Sequence, residues 1–167
     1  LESLFLDFIE FYLQRRNCMD AISPSEFLTI SKKFLHIYES YCVPICEKYQ
    51  LKQNELDILL FIGNNPEFNT ARDVCEIRKI KKGIASVMIE NLVERGYLRR
   101  EADPKDRRIQ RLILTEPCKP VVEDGRRRQK DFFDAVHSGL TPEELLTYQK
   151  LSDKIRLQII KMEGELE

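Results

Sequence analysis

The residues whose side chains most clearly indicate a chemical role are basic, and they are concentrated in the middle of the chain. Between residues 72 and 111 there are twelve lysines and arginines against seven aspartates and glutamates, although the whole chain has a net charge of −1. Because lysine and arginine neutralise phosphates, a basic centre between acidic ends predicts a surface that meets nucleic acid. The basic residues are Arg72, Arg78, Lys79, Lys81, Lys82, Arg95, Arg99, Arg100, Lys105, Arg107, Arg108 and Arg111.

Five cysteines form the second group with possible chemistry. Their odd number and irregular spacing indicate reduced thiols rather than a disulfide framework. Cys42 and Cys46 would share one face of a helix and could bind a metal or sense oxidants, but the chain has only two histidines, and a structural site needs about four ligands. We therefore expect no metal and interpret this pair as small buried residues. Cys18 is the candidate for redox sensing, because the two preceding arginines would lower its pKa.

Motifs that support common enzyme chemistries are absent from the sequence. It has no glycine-rich phosphate loop, no nucleophile elbow and no His-Glu-x-x-His zinc motif. Neither histidine has sequence neighbours that suggest acid–base work. We therefore expect a protein that is not an enzyme and that uses no cofactor.

Length and composition predict one soluble globular unit. The chain has 167 residues, of which 43% are hydrophobic and 33% are charged, as in helical proteins with a proper core. Its longest apolar stretches, such as residues 58–62, are far shorter than the roughly 20 residues needed to cross a bilayer. The first 13 residues lack the basic start and the cleavage site of a signal peptide. We expect a cytoplasmic protein.

The spacing of apolar residues predicts a mainly helical chain. Residues 1–13 have apolar side chains every three or four positions, which is typical of an amphipathic helix. A second helix should begin with a capping box at Ser23 and Glu26 and run to about Tyr49, with Pro44 kinking or dividing it. Further helices are expected over residues 53–63, from Thr70, over 81–95, from Thr115 to about 138, and from Thr141. In the helix from Thr70, Val74 and Ile77 should face inward, and in the helix over 81–95 the buried residues should be Ala85, Met88, Ile89 and Leu92. The last helix should have an apolar stripe of Leu145, Tyr148, Leu151, Ile155, Ile159 and Met162.

Between these helices, Gly96 introduces a different pattern. Two extended segments, 97–100 and 108–114, surround the turn Asp103-Pro104-Lys105-Asp106, as in a β-hairpin. Three short helices followed by a hairpin are the organisation of a winged helix-turn-helix, in which one helix enters the major groove of DNA and the hairpin reaches the phosphates and the adjacent minor groove. The expected fold class is therefore mainly α with a small β-hairpin wing.

The sequence resembles the MarR family of transcription regulators in four segments. These are Asn91-Leu-Val-Glu-Arg-Gly-Tyr-Leu-Arg-Arg100 with Asp103-Pro-Lys-Asp-Arg-Arg108, then Leu112-Ile-Leu-Thr115, and Leu140-Thr-Pro-Glu-Glu144. The resemblance implies a homodimer that binds pseudo-palindromic double-stranded DNA, commonly as a repressor, and often releases it when a small aromatic effector fills a cleft. It also implies dimerisation helices at 1–50 and 116–167 around a DNA-binding lobe at 51–115. Residues 1–22 depart from the family pattern, and we assign them to the dimer interface.

Residues near the start of the helix over 81–95 are the first candidates for DNA contact. Lys81 and Lys82 suit phosphates or guanine edges, although they could be a solvated basic surface. Ser86 can donate or accept a hydrogen bond. Ile84 and Val87 suit thymine methyl groups, with packing against the preceding helix as the alternative. Gly83 stands where the family often has a small hydroxyl residue, and its bare backbone permits close approach.

The wing supplies the second set of candidates. Asp106 and Arg108 match the family's paired wing residues, and we expect Asp106 to hold the arginine so that its guanidinium enters the minor groove. Arg107 is a further candidate, and an ion pair that only stiffens the hairpin is the alternative. Phe34, Tyr38 and Tyr41 are candidates for the aromatic wall of an effector pocket or for core packing. A winged helix that binds an acidic protein instead of DNA is the rival function.

Overall fold

The computed structural model describes residues 23–165. Its helices are α1 (Pro24–Tyr49), α2 (Gln53–Asn64), α3 (Ala71–Arg78), α4 (Lys82–Glu94), α5 (Lys119–His137) and α6 (Pro142–Gly164). Strands β1 (Leu98–Ala102) and β2 (Gln110–Leu114) form an antiparallel hairpin between α4 and α5. The predicted fold class, mainly helical with a hairpin wing, is confirmed. The helix predicted over residues 1–13 and the redox candidate Cys18 lie outside the described residues.

Side-chain caps start three of the helices. The Ser23 hydroxyl accepts a hydrogen bond from the amide of Glu26 at 3.1 Å, with Pro24 in the first turn. Thr70 and Asp73 form a reciprocal capping box on α3, and Thr141 and Glu144 form another on α6. These bonds satisfy amide groups that a helix start leaves unpaired. The beginnings of these helices therefore agree with the sequence prediction.

Two local features differ from expectation. Helix α1 is one continuous element, so of the two expected effects of Pro44, a kink or a division, the division does not occur. Thr115 does not cap α5 with its side chain; its hydroxyl donates to the carbonyl oxygens of Gly96 at 2.5 Å and Tyr97 at 3.1 Å. A 3-10 turn at Glu116–Cys118 separates Thr115 from the helix. Thr115 thus ties the exit of the hairpin to its entrance.

The hydrophobic core lies in the lobe formed by α2, α3, α4 and the hairpin and extends to the parts of α1 and α5 that pack on it. Helix α2 is buried along most of its length, and α4 contributes Ala85, Ile89 and Leu92 to the same cluster. Met88 is only half-buried, and Ile77 is exposed rather than inward-facing, because α3 presents that side to solvent. Other members of the core are Leu56, Ile58, Leu59, Leu60, Val74, Leu98, Leu112 and Val121.

Helices α1 and α5 pack against each other beside this lobe. The ring of Phe132 is buried, and its centroid lies 4.9 Å from that of Phe34 and 5.4 Å from those of Tyr38 and Tyr41. Edge-on contacts of this kind add to the burial of apolar area. The aromatic cluster therefore fixes α5 along α1.

Helix α6 buries none of its residues within the described structure. The predicted stripe from Leu145 to Met162 exists, but every member is exposed. Its last turn approaches α3, where Glu163 forms an ion pair with Lys79. Between residues 23 and 165, no helix is long and apolar enough to span a membrane.

Candidate nucleic-acid interface

The start of α4 presents the predicted residues away from the core. Lys81 is the N-cap of the helix, and the residues Lys82, Gly83 and Ser86 that follow it are exposed. Ile84 is 48% exposed and Val87 is 62% exposed, so neither is buried against α3. Large apolar side chains on an exposed helix face next to lysines suit a surface that contacts DNA base edges.

Ion pairing sorts the twelve basic residues of this region into two groups. Seven have an acidic partner within 4.0 Å, namely Arg72 with Glu76, Arg78 with Asp57, Lys79 with Glu163, Arg95 with Glu55, Arg99 with Glu101, Arg100 with Glu90 and Arg111 with Asp103. The other five have no ion pair with any residue that the structure describes: Lys81, Lys82, Lys105, Arg107 and Arg108. All five lie at the start of α4 or at the tip of the hairpin. Among the basic residues between 72 and 111, those without an ion pair are therefore confined to the two places that a winged helix brings to DNA.

Two grooves connect these places. One, of about 360 Å³, lies between α3 and α4 and is lined by residues that include Arg72, Lys82 and Ser86. The other, of about 540 Å³, lies between the start of α3 and the wing and is lined by residues that include Arg72, Arg108 and Gln110. Because Arg72 borders both grooves, the start of α4 and the wing belong to one continuous surface. The charge count included Arg72 but did not indicate this bridging position.

The wing tip is shaped by hydrogen bonds from carboxylates to the backbone. Asp106 accepts a bond from the amide of Arg108 at 3.0 Å, rather than holding the guanidinium as expected. Asp103 accepts bonds from the amides of Lys105 at 2.8 Å and Asp106 at 3.1 Å. The carboxylates fix the turn, so the side chains of Arg107 and Arg108 project from a defined backbone.

A polar network at the base of the wing was not foreseen from the sequence. The Arg111 guanidinium donates from Nε to Asp103 at 2.5 Å and from a terminal nitrogen to the amide oxygen of Asn69 at 2.8 Å. Asp103 and Asn69 are both buried. The bond from Arg111 is the main reason why the pKa of Asp103 lies below its usual range, followed by the two backbone amides. The only sequence signal for this network was the presence of an aspartate, Asp103, and an arginine, Arg111, in the same predicted hairpin.

Two of the three aromatic pocket candidates line a cavity. It has a volume of about 280 Å³ and lies between α1, α2 and α5, with Phe34 and Tyr38 on one wall. Tyr41 is not among the lining residues and packs on Phe132 instead. Asp57 lies 3.9 Å from Arg78 in the same cavity, and burial raises the pKa of its carboxyl. Further lining residues are Leu35, Leu60, Phe61, Asn64, Asn65, Gln129 and Phe133.

The cysteines of residues 23–165 do not form a metal site. Cys42 and Cys118 are buried and Cys46 is half-buried, and no group of three potential ligands occurs in this part of the chain. Burial raises the pKa of Cys46 to about 11 and that of Cys118 to about 12. These thiols are therefore protonated at neutral pH. The interpretation of Cys42 and Cys46 as small buried residues holds for Cys42, whereas Cys46 is only half-buried.

Comparison with known proteins adds a family match and several similar folds. Residues 49–109, which cover α2 to the wing, match the model of the MarR family. A MarR protein from Peptoclostridium difficile DA00132 superposes with a TM-score of 0.71 at 16% identity, over 88% of this chain and 95% of that one. The transcription regulator MarR from Oenococcus oeni PSU-1 gives a TM-score of 0.61 at 20% identity, over 80% and 98%. MepR of S. aureus, solved as a DNA complex, gives 0.64 at 15% identity, over 87% and 97%.

Proposed function

We propose that this chain, whose residues 49–109 match the MarR family model, is a winged-helix regulator of that family that binds specific DNA sequences as a homodimer. The observation that carries the proposal is the distribution of unpaired cations. Five lysines and arginines without an acidic partner among the described residues are grouped at the start of α4 and at the wing tip. An ion-paired cation gives up its partner to bind a phosphate, whereas an unpaired one only releases counterions from the DNA.

Helix α4 is the proposed reading helix. Lys81 and Lys82 bind phosphates or guanine edges at its start, and Ser86 forms a hydrogen bond with a base edge. Ile84 and Val87 contact thymine methyl groups, which are the apolar features of the major groove. Gly83 lies between Lys82 and Ile84 with no heavy atom within 4 Å of the position a Cβ would take, which allows the DNA backbone to come close.

The wing is the proposed minor-groove element. Arg108 and Arg107 project from a turn whose backbone is held by Asp106 and Asp103. A guanidinium is attracted to a narrow minor groove because the negative potential is strongest there. The groove between α3 and the wing, bordered by Arg72, gives the sugar–phosphate backbone a path between the two reading elements.

The apolar faces of α1 and α6 are the proposed dimer interface. Phe27, Leu28 and Ile30 on α1 and the stripe from Leu145 to Met162 on α6 are exposed in the single chain. Monomeric proteins rarely expose continuous apolar faces of this length. A second copy that covers them would place two reading helices on one duplex, and a two-fold dimer matches a pseudo-palindromic operator.

The proposed outcome of operator binding is repression, relieved by a small aromatic effector in the cavity lined by Phe34 and Tyr38. The cavity contacts both α1 of the dimer region and Arg78 at the end of α3. An occupant that binds differently in the DNA-bound and free forms would shift the equilibrium between them. Thermal unfolding with a panel of aromatic acids and amines tests this step, because a bound ligand raises the melting temperature.

The DNA-binding step is tested by the salt dependence of affinity for a mixed-sequence duplex. Lys82→Ala and Arg108→Ala should each reduce the magnitude of the negative slope of log K against log[salt] by about one, since each removes one contact of a cation with the DNA. Lys130→Ala is the matched control, because Lys130 lies on α5 and pairs with Asp134. If all three variants bind like the wild type, the basic face does not meet DNA, and a role in binding an acidic protein becomes the better account.

A further inference from the structure

The base of the wing contains an ion pair between the partly exposed Arg111 and a buried carboxylate, and it connects the hairpin to α3. Arg111 on β2 binds Asp103 at the end of the turn and Asn69, which lies just before the cap of α3. The same junction contains a backbone bond from the amide of Leu112 to the carbonyl oxygen of Asn69 at 2.7 Å and a β-bridge between Thr70 and Arg111. Side-chain and backbone bonds thus converge on one point where the wing meets the helix-turn-helix.

The partners of Arg111 are costly to leave unpaired. Asp103 is 6% exposed and Asn69 is 8% exposed, and a buried charge or amide without a partner destabilises the fold. A guanidinium has donors in a planar fork and can bridge two acceptors in a fixed geometry, which a lysine ammonium does not reproduce. The orientation of the hairpin relative to α3 therefore depends on an arginine at this position.

The network also sets the position of the wing tip. Asp103 accepts the Arg111 bond through one carboxylate oxygen and the amides of Lys105 and Asp106 through the other. Asp106 in turn accepts the amide of Arg108. A continuous series of hydrogen bonds therefore leads from Asn69, beside α3, to the backbone of Arg108.

We propose that Arg111 is a positioning residue for DNA recognition: through Asp103 and Asn69 it fixes the wing against α3 and so holds Arg107 and Arg108 where the minor groove lies. This inference rests on the proposed function, because it specifies how the wing of that DNA-binding surface is held. Arg111 thus differs from Arg107 and Arg108, because its guanidinium donates hydrogen bonds to acceptors within the protein. The competing role is direct contact with a phosphate, because about a third of the side chain is exposed.

The test is a double-mutant cycle on operator affinity. Arg111→Met should weaken binding of the selected operator by about tenfold, the loss expected for one good side-chain contact to DNA. In a background of Arg107→Ala with Arg108→Ala, the same change should have almost no effect, because the wing contacts it positions are already gone. Arg99→Met is the matched control: Arg99 lies on the opposite strand of the hairpin and is also ion-paired, so it removes the same charge without touching the network.

Arg111→Lys separates positioning from phosphate contact. Lysine keeps the charge but cannot bridge Asp103 and Asn69, so we expect Arg111→Lys to behave like Arg111→Met. If Arg111→Met does not fold, Arg111→Lys and Asn69→Ala carry the same cycle. In the free protein, hydrogen exchange at the amides of Lys105, Asp106 and Leu112 should accelerate in the Arg111 variants and not in Arg99→Met.

The outcomes distinguish this inference from the proposed function. The positioning role is supported if the wild type binds, if the effect of Arg111→Met on affinity depends strongly on the wing arginines, and if Arg111→Lys does not restore affinity. Wild-type binding with an additive Arg111→Met effect, or full rescue by lysine, overturns the positioning role and leaves the proposed function intact. If the wild type and Arg99→Met bind no duplex, the proposed function fails and the positioning role for DNA fails with it.

Discussion

Two glycines inside helices have opposite surroundings. A Cβ on Gly125 in α5 would lie 2.6 Å from Cδ2 of Leu60, whose side chain is buried in the core, whereas a Cβ on Gly83 in α4 would meet nothing within 4 Å. Gly125→Ala should lower the free energy of unfolding by about 1–3 kcal/mol through overpacking. Gly83→Ala should raise it by up to about 1 kcal/mol, because alanine favours helix. Urea unfolding of both variants measures the difference, and equal effects would contradict the close packing of α5 on α2.

Single residues of α4 were predictable because burial in a helix follows a local rule. Of the four residues predicted to be buried at helical spacing, Ala85, Ile89 and Leu92 are buried and Met88 is half-buried. The candidates for DNA contact that remained after this subtraction are exposed. The role of Arg111 was not predictable by the same reasoning. Its partner Asn69 is 42 positions away, and a count of charges does not show which cations are already neutralised.

At the scale of elements, the contact between α1 and α5 depends on Asp124. Its carboxylate accepts bonds from the Lys48 ammonium at 2.7 Å and the Tyr49 hydroxyl at 2.9 Å. Lys48, then Tyr49, hold the pKa of Asp124 below its usual range. A carboxyl with a lowered pKa stabilises the fold above its unfolded value of about 3.9, and this contribution is lost as the pH falls through the lower folded value.

The corresponding prediction concerns Asp124→Asn. The variant should be less stable than the wild type at pH 6, and the difference should shrink as the pH is lowered towards 3, because the wild-type carboxyl becomes protonated. Asp131→Asn is the control, since Asp131 lies on the same helix with only a 4.0 Å ion pair to Arg128. Denaturant unfolding from pH 6 to 3 gives both curves. A stability difference that is constant with pH would show that the charge of Asp124 does not hold α1 to α5.

Element boundaries were predictable where a cap and its partner are three residues apart, as at Thr70 and Thr141. They were not predictable at Thr115, because its hydroxyl bonds to Gly96 and Tyr97, which are 19 and 18 positions away. For Pro44 the sequence left a kink and a division of α1 as alternatives, and the structure excludes the division. The local rule for proline gives the cost of the missing bond but not the packing that offsets it.

At the scale of the whole molecule, the exposed stripe of α6 predicts a dimer. Leu151→Glu with Ile155→Glu should convert a dimer into a monomer at micromolar concentration, because it places charge in a proposed apolar interface. The helical content should be retained, since neither side chain is buried within the chain. Affinity for a two-half-site duplex should fall by at least about 100-fold through the loss of bivalent binding.

Sedimentation velocity and circular dichroism check this prediction. Lys150→Gln with Lys154→Gln is the matched control, because it changes the net charge of the same helix by the same amount at exposed positions off the apolar stripe. A wild-type protein that sediments as a monomer at all concentrations would contradict the dimer. The sequence indicated the stripe from its spacing, but the described chain does not contain the surface that covers it, so the assembly has to be measured.

Selection of bound duplexes from a random pool tests most directly whether the unpaired cations of α4 and the wing form a DNA-reading surface. The selection is carried out with the wild type and with Arg108→Ala. We predict an enriched two-fold-symmetric motif with half-sites about 10 base pairs apart, selected less efficiently by the variant. If no motif emerges and retention of duplexes disappears uniformly as salt is raised, the chain does not read DNA sequence. That result would contradict the proposed function as a sequence-specific regulator.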